Sequence, residues 1–186
     1  MAHVQEKFQV LAPPTEVWRK AADFSRWGGW LGLDAMAGKG LGGQFGRVEG
    51  EGLGARIGLF NGQELFQILT VTDWIPPERL ILTMKDWSVI DATKALSQVM
   101  DPRIARHQAA WIAMTATFSL AISAADVVKM TSTVSIDIDV EFTHPFFGPL
   151  MNFFGPLDPT RSFLVQMARS FSRKLPLAFD EAQAGK

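Results

Sequence analysis

The segment MTSTVSIDIDVEF, residues 130–142, has the most regular pattern in the chain. Apolar and polar side chains alternate along it, which is typical of a β-strand with one buried and one solvated face. Val134 and Ile136 lie on the apolar side, whereas Asp137 and Asp139 lie on the polar side. The pattern predicts a strand of an antiparallel sheet whose apolar side faces the core.

The residues before this segment carry six further strand patterns. A turn at Ala124–Asp126 separates the last strand from another long strand. Asn61-Gly62 is a strong hairpin signal, and Ile75-Pro76-Pro77-Glu78-Arg79 predicts a second turn. The other predicted strands lie near 3–11, 43–49, 53–60, 64–74 and 79–87.

Residues 107–125 contain no Asp, Glu, Lys or Arg, and their number approaches that of a membrane helix. Thr115 and Thr117, however, alternate with Met114 and Phe118, a period typical of strands. The sequence therefore favours a strand here, and no stable membrane insertion is expected.

Two short helices are predicted after the first strand and one long helix near the C-terminus. Pro13-Pro14 ends the first strand, a helix follows from Thr15, and a second helix or turn occupies Ser25–Leu31. Asp158-Pro159 is a good helix start, and the helix is predicted over about 159–183. Pro176 should kink or end it. The apolar stripe of this helix consists of Leu164, Met167, Ala168, Phe171 and Leu175.

Composition excludes several classes of function. The 186 residues predict one domain, 1–186, and the absence of Cys excludes disulfides, thiolate nucleophiles and cysteine zinc sites. A cytoplasmic location is expected, since a chain without Cys fits a reducing compartment. The net charge of −1 argues against a nucleic-acid partner. The three His lack metal-ligand spacing, so neither a metal nor a cofactor is expected.

Glycine is dense between residues 38 and 62. A phosphate-binding loop would need a glycine-rich turn that enters a helix, and no helical pattern follows this region. Bulges and tight bends of a strongly curved sheet explain the glycines better.

The order of the elements, together with several short motifs, resembles the START-like (SRPBCC) superfamily. The matching residues are APPTEVW at 12–18, FSRW at 24–27, Trp30-Leu31, IPPERL at 75–80 and the terminal helix from Pro159. The resemblance covers nearly the whole chain and implies an α+β helix-grip fold, in which a seven-stranded antiparallel sheet curves around the long C-terminal helix. It also implies a buried cavity that binds a hydrophobic small molecule such as a lipid, isoprenoid or aromatic polyketide. Ligand cavities usually have volumes of roughly 300–1,000 Å³.

The ligand-binding residues are predicted from the apolar faces of the strands, the apolar stripe of the C-terminal helix and the tryptophans. Phe118, Met130, Val134 and Ile136 should form the sheet wall, and Met167 and Phe171 the helix wall. The tryptophans could form an aromatic rim around the mouth of the pocket or could pack in the core, since Trp suits either role. The tryptophans considered for this rim are Trp27, Trp30 and Trp87.

Two other functions remain open at this stage. A polyketide cyclase or dehydratase would use the same cavity, with catalysts drawn from Asp91, Asp101, Arg103 or His107, although no recognisable catalytic constellation links them. A protein-binding module would use the apolar segment 142–157.

Residues 88–108 interrupt the strand pattern. Their helical spacing from Ile90 to Met100 predicts an insertion, which would be either a lid over the cavity or a static helix on the outer sheet.

Overall fold

The structure is a computed structural model that describes residues 2–33, 43–61, 64–87, 101, 103, 114–126, 128, 130–143 and 159–184. Of the predicted insertion 88–108, only Asp101 and Arg103 belong to the described residues. Of the apolar segment 142–157, only Phe142 and Thr143 do. The strands are β1 (Ala2–Val10), β2 (Gln44–Glu49), β3 (Arg56–Asn61), β4 (Glu64–Ile75), β5 (Arg79–Trp87), β6 (Met114–Asp126) and β7 (Thr131–Phe142). The helices are α1 (Pro14–Ala21), a 3-10 turn (Phe24–Arg26), α2 (Trp27–Trp30) and α3 (Pro159–Ala184).

The seven strands form one sheet in the order β1-β7-β6-β5-β4-β3-β2, and every neighbouring pair is antiparallel. Each strand from β2 to β7 is adjacent to the next one in sequence, whereas β1 pairs with β7 at the edge. Helix α3 packs most extensively on β1 and also contacts β7 and α2. This arrangement confirms the predicted α+β helix-grip fold.

The alternation along β7 corresponds to its two faces as predicted. Ile136 and Ile138 are fully buried on the inner face, which is the face toward α3. On the outer face Gln5 donates a hydrogen bond to Asp137 (Nε2–Oδ1 2.6 Å). His3 Nδ1 lies 2.8 Å from Oδ1 of Asp139 in the same row. The aspartates are therefore engaged in cross-strand contacts on the outer face, away from the core.

The uncharged stretch considered as a membrane helix is a strand over its described part. Residues from Met114 to Asp126 form β6, which pairs with β5 on one side and β7 on the other. None of the helices that the structure describes is long and apolar enough to cross a membrane.

Three strand boundaries differ from the predicted ones. Strand β6 continues through the predicted turn to Asp126, and the turn follows it, because the Asp126 carboxylate accepts a hydrogen bond from the backbone N–H of Val128 (2.9 Å). Met130 lies in this turn with φ 50°, outside β7. Strand β3 begins at Arg56 rather than near 53, since Gly52 and Gly54 have positive φ angles that form the preceding turn.

Helix α3 runs from Pro159 to Ala184, close to the predicted 159–183, and it does not end at Pro176, one of the two outcomes expected for that proline. Leu175 and Phe179 are buried on either side of that proline. Burying a large apolar side chain is worth about 1.5–3 kcal/mol, and an interior proline costs about 3 kcal/mol. Packing of the two side chains is thus sufficient to continue the helix past Pro176. Asp158, the predicted cap, lies outside the described residues.

Candidate functional site

The inner face of the sheet consists of rows of apolar side chains that lie opposite one another. Ile136 of β7 is opposite Leu120 of β6, which in turn is opposite Leu80 of β5, and all three are fully buried. In the next row Phe118 lies between Ile138 and Leu82. The antiparallel register thus assembles one apolar wall from alternate residues of adjacent strands.

Helix α3 supplies the facing apolar surface. Met167 and Phe171, both predicted helix-wall residues, are buried one turn apart. The Phe171 ring meets the ring of Phe8 from β1 edge-on, at a centroid distance of 6.4 Å. The predicted sheet residues Val134 and Ile136 are fully buried on the opposing face.

Two of the three predicted tryptophans pack in the core beside this helix surface. The rings of Trp27 and Trp30 lie 5.5 and 5.6 Å from Phe171, at interplanar angles of 71° and 87°. Both indoles are buried. Trp27 also donates a hydrogen bond through Nε1 to the backbone carbonyl of Ala21 (2.7 Å). This bond ties α2 to the C-terminal end of α1 and satisfies the one polar atom of the buried indole.

Two predicted site residues do not join this set. Met130 is 65% exposed, because it lies in the turn before β7 and not in the strand itself. Trp87 ends β5 opposite Met114, and its side chain lies outside the described part of the structure. Met84 was missed by the sequence prediction, although it shares the inner side of β5 with Leu80 and Leu82. The alternation of Leu80, Leu82 and Met84 with Arg79, Ile81 and Thr83 could have identified it.

The described interior offers almost no polar chemistry. The buried polar side chains among the described residues are Thr131, Ser132 and Ser135. The Ser132 hydroxyl donates to the backbone carbonyl of Ala12 (2.6 Å), and the Ser135 hydroxyl donates to the outer-face carboxylate of Asp137 (3.1 Å). Thr131 alternates with Ser132 and shares the outer side with Ser135. None of these hydroxyls is therefore directed toward a ligand between sheet and helix.

A charged pair marks the edge of the interior on the β1 side. Glu6 shares the inner side of β1 with Val4 and Phe8, and its carboxylate lies 3.4 Å from Nε of Arg169 on α3. The side chains of Glu6 and Arg169 are 30% and 63% exposed, so the pair is accessible to solvent and contributes little to stability.

The candidate catalytic residues find no support in the described part of the chain. Asp101 and Arg103 are exposed, and the Asp101 carboxylate accepts a hydrogen bond from the Arg103 backbone N–H (2.8 Å). Asp91 and His107 lie outside the described residues. No group of three potential metal ligands occurs among the residues that the structure describes.

Several solved structures are similar to this chain. A START superfamily protein from Mycobacterium smegmatis matches with a TM-score of 0.49 and 12% identity, over 96% of this chain and 99% of that chain. The Aha1 dimer from Colwellia psychrerythraea matches with a TM-score of 0.44 and 10% identity, over 92% and 97%. An HSP90 activator from Plasmodium falciparum matches with a TM-score of 0.42 and 11% identity, over 75% and 73%.

No protein-family model matches the sequence, and no curated protein matches it. One of the similar structures is a START superfamily protein, from the superfamily that the sequence resembles. At these TM-scores and identities the likenesses carry no argument about function, which has to rest on the residues of the chain itself.

Proposed function

We propose that this protein binds a hydrophobic small molecule, of the lipid, isoprenoid or aromatic polyketide class, between the inner face of the sheet and helix α3. The observation that carries the proposal is the apolar character of both surfaces. The buried polar side chains among the described residues are three hydroxyls on β7. None of the three is available to a ligand between the sheet and α3, because each is either hydrogen-bonded or on the outer side of the strand. A polar or charged ligand would lose its hydrogen bonds to water without gaining others in the site. An apolar ligand has no such hydrogen bonds to lose.

The position of α3 supports a site over the middle of the sheet. The helix packs chiefly along β1, at one edge, and extends its contacts to β7 and α2. The inner faces of β5 and β6 are nevertheless apolar, and Met84 lies opposite Ala116, in the row next to that of Leu82 and Phe118. Met84 and Phe118 retain 8% and 9% exposure, whereas Leu80, Leu82 and Leu120 retain none. Access for a ligand is therefore proposed at the end of the sheet where Met84 and Phe118 lie.

Binding of the dye anilinonaphthalene sulfonate, followed by fluorescence, tests the proposal in variants of Met84. Met84→Gln keeps the length and flexibility of the side chain but adds an amide to the proposed wall. An unpaired amide costs about 1–3 kcal/mol when it is buried, so we expect dye affinity to fall about tenfold. Thr83→Gln is the matched control, because Thr83 is adjacent on the outer face of β5 and should leave affinity unchanged.

Circular dichroism melts of the three proteins have to accompany the titrations, since partly folded chains also bind this dye. Equal losses in both variants, or saturable binding that neither variant alters, would place the dye elsewhere and contradict the site. Mass spectrometry of an organic extract of the purified protein then identifies the natural ligand.

Residues 88–108 are proposed to cover the entrance to this site. Trp87 lies directly opposite Met114, so the chain leaves β5 and returns to β6 at neighbouring positions. A two-residue Asn-Gly turn in place of 88–113 could therefore join the strands. We expect faster dye exchange in a folded variant. Unchanged exchange would favour a static helix, and loss of folding would show that the segment belongs to the core.

A cytoplasmic location is proposed on the absence of Cys from the whole chain.

A further inference from the structure

Strand β1 leaves one of its two edges without a strand partner among the described residues. It is the outermost strand of the sheet, and each of its nine residues pairs with β7 in an unbroken register. The backbone N–H and C=O groups that point away from β7 therefore form a regular row of donors and acceptors. Such a row matches the backbone of another extended segment.

The other edge of the sheet is less suited to strand addition. Strand β2 has six residues, and its register with β3 shifts between Arg47 and Glu49, which leaves Val48 as a bulge. A bulge bends and twists an edge, so a further strand pairs with it poorly. Over Ala2–Val10 the pairing of β1 has no such shift.

Helix α3 runs beside the free edge of β1. Glu6 on the inner side of β1 lies 3.4 Å from Arg169 of the helix. Two residues further along both elements, the rings of Phe8 and Phe171 meet. The central parts of the strand and the helix therefore run in the same direction, and a segment added to β1 would lie along the helix as well.

The side of α3 near this edge is not the side that packs on α2. Lys174 donates to the Gly29 carbonyl of α2 (2.6 Å) and lies about 140° around the helix from Arg169. Arg169 itself is 63% exposed beside β1. This side of the helix is consequently open to solvent above the free edge of the strand.

Arginines dominate this open side of α3. Arg161, Arg169 and Arg173 are exposed and lie within an arc of about 120° on the helix surface. Glu6 pairs with Arg169, whereas Arg161 and Arg173 form no ion pair with a described residue. The acidic residues of this part of the chain come before or after the three arginines in the sequence: Asp158, Asp180 and Glu181. The part of the helix that follows β1 is therefore cationic.

The outer side of the same edge differs in charge. His3 and Gln5 of β1 contact the carboxylates of Asp139 and Asp137 on β7, and Lys7 is exposed in the same row. Positive and negative groups are mixed here, so this side favours neither sign. Only the side toward α3 selects for negative charge in a partner.

A second copy of this chain does not fit the free edge of β1. Helix α3 packs more extensively on β1 than on β7, so it lies over the edge strand. Paired strands are about 4.8 Å apart, and a twofold pairing of two β1 strands would crowd two copies of the helix that need 8–10 Å between their axes. The partner therefore has to be a segment that carries no helix over its own edge.

We propose that the free edge of β1 binds an extended acidic peptide segment of a partner protein, which adds to the sheet beside β1 and directs alternate carboxylates toward α3. The backbone of the segment supplies the missing strand partner, and its alternate side chains meet the arginines, since residues i and i+2 of a strand share a face. The inference does not depend on the interior ligand, because the edge lies outside the apolar interior.

The test measures the fluorescence anisotropy of a labelled peptide of alternating glutamate and threonine, about as long as β1, titrated with the full chain. Arg161→Gln/Arg173→Gln should weaken its binding about tenfold, since the two arginines lie about 18 Å apart and each contributes an exposed charge contact. Arg47→Gln/Arg56→Gln is the matched control, because it removes the same charge at the opposite edge of the sheet. This control should leave binding unchanged.

Hydrogen exchange reports whether the peptide binds as a strand. With bound peptide, the β1 amides that point away from β7 should exchange more slowly, whereas the amides of β2 should not change. The same peptide with every backbone amide methylated keeps its charges but cannot donate to a strand edge, so it should not bind. No saturable binding of the unmodified peptide, equal binding of the methylated one, or equal losses in the two double variants would contradict the proposal.

Discussion

Replacing Phe171 with leucine tests whether the aromatic cluster around α3 stabilises the fold. The Phe171 ring makes edge-on contacts with Phe8, Trp27 and Trp30, at centroid distances of 6.4, 5.5 and 5.6 Å. Each such pair is worth about 0.5–1.5 kcal/mol beyond the area it buries. Leucine keeps an apolar side chain at the position but removes all three pairs. Because neighbouring contacts are not additive, we expect a loss of about 2–3 kcal/mol in the free energy of unfolding.

The matched control is Phe179→Leu, two turns further along the same buried face. Phe179 is buried like Phe171, but its described ring contact is with the Lys20 ammonium, 4.2 Å from the ring centroid. Loss of one such contact corresponds to about 1 kcal/mol. The two variants therefore differ mainly in the number of ring contacts that they lose.

Urea unfolding followed by circular dichroism measures both values, and a thermal melt checks them. A loss of 2–3 kcal/mol lowers the Tm by about 5–10 °C in a domain of this size. Equal losses in the two variants would refute the idea that the ring contacts of Phe171 stabilise the fold. An unchanged Tm together with altered dye affinity would show instead that Phe171 borders open space, as a cavity-wall residue.

The remaining predictions concern single backbone and hydroxyl positions. Gly32→Ala should destabilise the fold more than Gly54→Ala in urea titrations. Both glycines have positive φ, which costs other residues about 1–2 kcal/mol, but only the new Cβ at Gly32 meets the Ser170 hydroxyl, at 3.1 Å. Equal losses would mean that Ser170 moves aside freely. Ser132→Ala should cost about 1–3 kcal/mol by leaving the buried Ala12 carbonyl without its donor, and an unchanged midpoint would contradict that role.

The sequence predicted the sheet well because its strongest signals are local. The alternation along β7 identified the inner residues Val134, Ile136 and Ile138, all of which are fully buried. The Asn61-Gly62 signal identified the β3–β4 hairpin, whose ends Asn61 and Glu64 pair directly. These features depend on neighbouring residues and on the period of two, so no tertiary information was needed.

The errors have three different causes: a local turn contact, tertiary packing and an incomplete division of one strand into its two faces. Met130 continues the alternation of β7 in the sequence, yet the hydrogen bond between Asp126 and Val128 places it in the turn. Leu175 and Phe179 are buried on both sides of Pro176, so packing continues a helix that local rules would end. Met84 was missed because the strand in which it lies was never divided into inner and outer residues. The composition of the apolar wall follows from cross-strand register, which a single sequence does not contain.

The polar contacts that hold α3 among the described residues are made by exposed or partly buried side chains. Lys174 donates from Nζ to the Gly29 carbonyl beside α2 (2.6 Å), and Lys20 donates to the Ala178 carbonyl from α1. Arg169 and Glu6 join the helix to β1. Because none of these contacts involves a fully buried polar side chain, an apolar ligand could displace buried apolar side chains without breaking a hydrogen bond that positions the helix. A helix held in this way is thus compatible with a ligand site beneath it, whereas a helix held by buried polar contacts would not be.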